Sequence, residues 1–296
     1  VAVGRVLSRV AGHARALSRA AGFVAWTLGV GAAWLLARRL LPARLRARGA
    51  ARVLSLWSRG LCGLMGIRLR VRGAPPRGPA LIASNHLGYL DVIVLAAARP
   101  ALFVSKSDLA GWPVMGALAR SVETLFLERD RPRAVAEVCR GISRLFEAGA
   151  PVIVFPEGTT TRGDSVGPLH AALLEPALRA GVPVRGAALS YARRSEKDPR
   201  DLAAWVGDAS FVPHLYSLFR SRGLEATVRF RAEDCAARER REAAAELRAW
   251  MLEALDESGK VAEHGLGHGG GLVRRGAHGV RGVRHGHRPP RPAQQR

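Results

Sequence analysis

Acidic residues are missing from the first 90 positions of this 296-residue chain, which carry 15 arginines instead. The first carboxylate is Asp91. Residues 259–296 are also basic, with eight Lys or Arg against one Glu, whereas residues 91–258 balance 23 basic against 23 acidic side chains. The formal net charge of +22 therefore sits at the two ends. Nucleic-acid binding would place such charge on the folded domain itself, so no nucleic acid is expected as a partner. Basic ends beside apolar segments point to anionic membrane lipid. Cysteine is scarce too: Cys62, Cys139 and Cys235 are odd in number and show no C-x-x-C spacing. That argues against a disulfide framework or a zinc site, and for a reducing compartment. No internal repeat is present, and the length allows one large domain or two modest ones with a sizeable core.

What is present begins with an apolar segment. Ala20 to Ala37 is 18 residues without a charge, between Arg19 and the pair Arg38–Arg39. That just reaches the length needed to span a bilayer. Trp26 and Trp34 suit the membrane interface. No small-residue cleavage site precedes the Arg cluster, so a signal peptide is not expected. Arginines on both sides give no orientation. A second stretch, "RVLSLWSRGLCGLMGIRLRV", reads as an amphipathic helix lying at the interface, followed by a strand near Ile67 to Val71. Buried core helices are the alternative for both. Residues 1–66 are thus expected to form membrane-anchoring or interfacial helices.

From residue 67 to 258 short apolar runs alternate with longer helical ones. Residues 80–84, 101–105, 123–127, 151–155, 183–191 and 224–230 read as strands. Residues 131–149 form an amphipathic helix, with Val135, Val138, Ile142 and Leu145 at helical spacing and Gly149 to end it. Residues 170–181 and 238–257 read as further helices. Such alternation predicts an α/β domain, a mostly parallel sheet flanked by helices. The Gly-, Arg- and His-rich tail, 259–296, has too few apolar residues to pack and is expected to be disordered.

Three constellations carry chemistry. In "LIASNHLGYLD" a strand leads to Asn85 and His86, and Asp91 follows. Strand C-terminal ends are where α/β folds place their sites. Residues five apart on a regular helix point about 140° apart. His86 and Asp91 can therefore meet only if His86 stands on the turn before a helix and Asp91 in its first turn. Asp91 would then accept from one ring nitrogen and leave the other free as a base. The competing reading is a capping Asn, a surface His and an Asp favoured by the helix dipole. The second constellation is "VIVFPEGTTTRGD", where Phe155 and Pro156 lead into Glu157, Gly158, Thr159, Thr160 and Arg162. Glycine, hydroxyls and a guanidinium suit an anionic group. An ordinary polar loop is the alternative. The third is Arg129, two residues beyond an apolar strand and flanked by Glu128 and Asp130.

In this order and spacing, over roughly residues 60–230, the three blocks resemble the glycerolipid acyltransferases, including the bacterial 1-acyl-sn-glycerol-3-phosphate acyltransferases. The resemblance implies that His86 is the general base, that Asp91 supports it, and that Arg129, Glu157 and Gly158, with Thr159 beside them, bind the acceptor's phosphate region. It also implies a membrane-bound enzyme of the cell inner membrane, its catalytic domain on the cytoplasmic side. Acyl-CoA or acyl-carrier protein would be co-substrate, with no cofactor and no metal. The acceptor implied first is 1-acyl-sn-glycerol-3-phosphate, giving phosphatidic acid. The fourth block looks like "GVPVRGAAL" with Pro183, but Arg185 and Gly186 stand where family members often carry a second proline. The third block places its arginine at Arg162, later than in many lysophosphatidate enzymes. That loop, together with "WVGD" at 205–208, looks like the branch with lyso-ornithine lipid acyltransferases, the alternative acceptor. Two other readings stay in play. "GDSVG" around Ser165 fits the G-x-S-x-G of serine hydrolases, and a non-catalytic basic membrane-binding protein would need neither His86 nor Asp91.

Overall fold

The computed structural model describes residues 2–112, 115–128, 132–196, 202–207 and 210–265. Seven strands make one sheet: β1 (Arg68–Arg72), β2 (Leu81–Ser84), β3 (Leu102–Lys106), β4 (Leu125–Leu127), β5 (Val152–Val154), β6 (Val184–Arg193) and β7 (Leu224–Phe230). Their order is β1-β7-β6-β2-β5-β3-β4. Every neighbouring pair is parallel except β6–β7. β2 and β5 lie side by side at the centre and are buried at every residue. They read as continuous apolar runs because both faces of a parallel sheet are covered.

The covering helices are α1 (Ala2–Leu40), α2 (Ala43–Met65), α3 (Tyr89–Ala98), α4 (Met115–Ser121), α5 (Pro132–Glu147), α6 (Glu175–Arg179), α7 (Phe211–Arg220) and α8 (Arg240–Gly265). α5 buries Val138, Ile142 and Leu145 as its spacing requires. Gly149 ends it at φ 71°, a left-handed conformation that glycine adopts without cost. One expected helix is broken. Residues 170–181 form a 3-10 turn, Ala171–Leu173, and then α6, with Pro176 in the first turn of α6. A proline ring clashes with the carbonyl four residues earlier, so it starts a helix rather than continuing one. The closing helix α8 runs past residue 259, where the tail was expected to begin, and the rest of that tail lies outside the described residues.

The N-terminal helices differ from expectation in where their apolar faces turn. α2 buries Ala47, Ala50, Ala51, Leu61, Cys62 and Met65 within the protein, with α3 as its main neighbour. Small residues there let the helices approach closely. α1 is long and apolar enough over Arg9–Leu40 to cross a membrane. It also lies along the domain. Arg15 and Arg19 donate to the carbonyls of Arg220, Phe219 and Ser221 at the end of α7, and Trp34 donates to Ser121 O at 2.9 Å. From Arg15 to Trp34 is about 28 Å of helix. Trp34 is thus buried in protein, not placed at an interface, because its indole N–H finds a carbonyl there. Trp26 likewise donates to Trp57 O at 3.0 Å, while Trp57 donates to Thr27. Leu17, Val24, Leu28, Leu35 and Leu36 remain exposed on the outer side of α1.

α1 packs tightly on α2 at Gly60, where an added Cβ would stand 2.3 Å from the Trp26 indole. Gly60→Ala is expected to destabilise the protein by about 1–3 kcal/mol through overpacking. Gly63→Ala, with nothing within 4 Å of the new Cβ, is expected to be neutral or stabilising by up to about 1 kcal/mol through helix propensity. Thermal unfolding of the two variants in detergent, side by side, checks the pair.

Candidate active site

β2 ends at Ser84 and α3 begins at Tyr89, so Asn85 to Gly88 form the turn between them. This is the arrangement that the spacing demanded. His86 stands on the turn, Asp91 in the first turn of α3, and His86 Nδ1 lies 2.7 Å from Asp91 Oδ2. Asp91 is wholly buried, and the His86 side chain is 19% exposed. The same Oδ2 accepts the backbone N–H of Leu87 (2.5 Å) and of Gly88 (2.9 Å). Oδ1 accepts the hydroxyl of Tyr191 at 2.8 Å. With an ionised carboxylate on Nδ1, a neutral His86 carries its proton there. Nε2 then presents a lone pair and, among the described residues, has no hydrogen-bond partner.

The FPEGT segment follows β5 and lies directly beside this turn. The Phe155 ring stacks on the His86 imidazole, with centroids 4.0 Å apart and planes inclined by 15°. Glu157 is buried, and its Oε1 accepts the His86 N–H at 2.9 Å while Oε2 accepts the Gly167 N–H at 2.8 Å. Thr161 donates its N–H to His86 O (2.8 Å), and Trp205 donates its N–H to Leu87 O (2.8 Å). Thr160 ties the same strap with a hydroxyl bond to Trp205 O at 2.8 Å. Gly158 has φ 70°, and a Cβ there would meet the His170 ring at 2.9 Å. Pro156 is buried, its carbonyl accepting from His170 N.

Several residues expected to touch substrate do other work. Asn85 is fully buried. Its side-chain amide donates to Leu189 O (2.9 Å) and accepts from Leu189 N (2.8 Å), imitating a strand pairing with β6. No polar atom is left for a ligand. The Glu157 carboxylate receives two backbone donors from two loops, so it joins loops rather than facing an anion. Pro183 precedes β6, and Leu81 N donates to its carbonyl at 2.9 Å. In register that is the start of β2, the far end of the sheet from His86. Thr159 and Arg162 are exposed at the loop. Arg129 lies outside the described residues. Ser165 is exposed in an irregular turn with neither a strand directly before it nor a helix directly after, so it forms no nucleophile elbow. Thr161 and Tyr191 were missed. The only sign of Tyr191 was a hydroxyl near the end of an apolar strand.

An apolar cavity of about 130 Å³ lies between α1, α2, α3, β3 and α4, lined by residues that include Val30, Val92, Leu118 and Ala119. Phe103 borders it, with its ring centroid 6.2 Å from that of Phe155, so two aromatic rings stand between the cavity and His86. The site therefore offers an imidazole base with a free nitrogen, a buried carboxylate behind it, and room for an apolar chain.

Known proteins resemble this chain in sequence and in fold. Residues 68–190 match a family model described as Acyltransferase. A lyso-ornithine lipid O-acyltransferase of Pseudomonas aeruginosa is 35% identical over 203 residues, 69% of this chain and 77% of that one. A 1-acyl-sn-glycerol-3-phosphate acyltransferase of Neisseria meningitidis serogroup B is 33% identical over 135 residues, 45% of this chain and 53% of that one. The fold is that of the crystal structure of the 1-acyl-sn-glycerophosphate acyltransferase PlsC from Thermotoga maritima. The TM-score is 0.65 and the identity 17%, covering 85% of this chain and 98% of the other. On the identity and coverage of these relatives, this chain belongs to the acyltransferase family that contains the lyso-ornithine lipid and 1-acyl-sn-glycerol-3-phosphate acyltransferases.

Proposed function

We propose that the protein transfers a fatty acyl group from a thioester to the free hydroxyl of a lysolipid at the membrane surface. The observation that carries this reading is the 2.7 Å contact of His86 Nδ1 with the buried Asp91, which leaves Nε2 as the base. The acceptor hydroxyl gives its proton to Nε2 while its oxygen attacks the thioester carbonyl. The tetrahedral intermediate then collapses, the C–S bond breaks, and the thiolate leaves with the proton that His86 returns. Products are the ester and a free thiol. Base catalysis of this kind contributes typically ~10²–10⁴-fold. The donor is acyl-CoA or acyl-carrier protein.

Two acceptors are in question. The Pseudomonas relative matches a larger share of this chain than the Neisseria one, which favours lyso-ornithine lipid. The order and spacing of the motif blocks keep 1-acyl-sn-glycerol-3-phosphate as the second reading. The exposed leucines and valines of α1 and the arginines of the first 90 residues would hold the domain against an anionic leaflet of the inner membrane. The cavity behind Phe155 would take an acyl chain.

Membranes carrying the protein, given labelled acyl-CoA or acyl-carrier protein, are expected to acylate lyso-ornithine lipid. His86→Ala is expected to lose at least about 100-fold of that rate. Acylation of 1-acyl-sn-glycerol-3-phosphate alone would move the assignment to phosphatidic acid synthesis, and transfer to neither would end it. Glu157→Gln turns an amide N–H toward one of two backbone donors. It should cost about 1–3 kcal/mol of stability and lower kcat more than it changes KM, measurable with the same assay and a melting curve. Ala119→Leu fills part of the cavity, so the preferred acyl chain should shorten by about two or more carbons, one per buried methylene displaced. A competition among acyl-CoAs of different length reads this from the product.

A further inference from the structure

Tyr191 belongs to none of the blocks that the sequence singled out. It stands on β6, 100 positions from Asp91, and its hydroxyl reaches Asp91 Oδ1 at 2.8 Å. We propose that Tyr191 is a positioning residue of the acyl transfer: by holding the second oxygen of Asp91 it sets both the direction and the basicity of the His86 ring. The inference rests on the acyltransferase reading above.

The geometry divides the carboxylate into two halves. Oδ2 serves the turn, taking His86 Nδ1 and the N–H groups of Leu87 and Gly88. Those three bonds fix one oxygen. The plane of the carboxylate still needs a donor on Oδ1, and the only one among the described residues is Tyr191. That donor comes from the same strand whose Leu189 is clamped by Asn85, so β6 is registered to the turn at two points two residues apart. A donor on Oδ1 also draws off part of the negative charge that would otherwise stabilise the imidazolium. The pull of Asp91 on the ring Nδ1–H is thereby tempered.

The hydroxyl is suited to remain a donor. Burial first, and the Asp91 charge second, push it well above its ordinary 10, so it is neutral throughout the working range. Other ionisable groups surround the dyad. Glu157 holds the His86 N–H from the β5 loop, and His170 lies against Gly158. Tyr89 on α3 bonds His214 on α7 at 2.9 Å. Cys62 comes from α2. Burial raises Tyr89 strongly and Cys62 to about 11, which keeps both uncharged near neutrality. Burial lowers His214, which favours its neutral form. All five are common to wild type and variant, so a comparison isolates Tyr191.

The test is Tyr191→Phe in the full chain, in detergent-solubilised membranes, followed by two measurements. One is kcat and KM for acceptor across pH 5–9 with acyl-CoA as donor. The other is the ring titration of His86 by NMR of histidine-labelled protein, its signal assigned by disappearance in His86→Gln. Expected are a kcat lowered roughly tenfold with little change in KM, as for a lost bond to a charged group. The acid limb and the His86 midpoint should both move up by about half a pH unit or more. A lower rate or melting temperature with the limb and the midpoint unmoved would make Tyr191 a packing residue and overturn the proposal. If wild type acylates no lysolipid, the substrate reading fails. The His86 midpoint alone then decides, a displaced one supporting the role of Tyr191 and an unmoved one refuting it.

Discussion

A single buried carboxylate organises this site. Asp91 is wholly enclosed, and an enclosed charge is tolerable only when its oxygens are filled with donors. The sequence fills them from both sides: the turn 86–88 from below, β6 from above. The turn is therefore shaped around the carboxylate, and His86 is aimed as a by-product of satisfying Asp91. A second buried carboxylate, Glu157, repeats the device between the β2 turn and the β5 loop. Neither is paired with Arg or Lys among the described residues. Backbone N–H groups satisfy Glu157, and for Asp91 they are joined by the His86 ring and the Tyr191 hydroxyl, which leaves the guanidinium groups for other work.

That other work explains the acid-free N-terminal third. Among its arginines, Arg70 pairs with Glu225 at 2.8 Å and Arg38 lies 3.9 Å from Glu123, but several others meet the carbonyl ends of helices. Arg15 and Arg19 meet the C-terminus of α7, Arg48 meets Ala148 O just after α5, and Arg59 meets Ala97 O in the last turn of α3. Helix C-termini carry partial negative charge and unpaired carbonyls, so these side chains bind α1 and α2 to the rest of the protein. Leu17, Val24, Leu28, Leu35 and Leu36 of α1 face outward.

Much of this was legible beforehand. Apolar runs placed the strands within a residue or two because buried parallel strands must be continuously apolar. The five-residue gap between His86 and Asp91 predicted a strand–turn–helix before any coordinate, since no regular helix brings the two together. What could not be read was partnership across distance. Asn85 looks like a ligand-binding amide until Leu189 is seen opposite it. Glu157 looks like a substrate contact until its two backbone donors appear. Trp26 and Trp34 look interfacial because composition cannot say that Trp57 O and Ser121 O lie within reach of their indoles. Pro176 was visible and under-weighted, although its ring was reason enough to divide the helix.

The strap that clamps the His86–Leu87 backbone also sets an order of assembly. α1 and α2 leave the ribosome before any of the groups that complete the turn. His86 and Asp91 follow, but their holders arrive late: Glu157 and Thr161, then Leu189 and Tyr191, and last Trp205. Until then the two carboxylates have no dry place to go, and the imidazole has no fixed direction. The turn that aims His86 therefore takes its final form only once the chain has been made as far as Trp205.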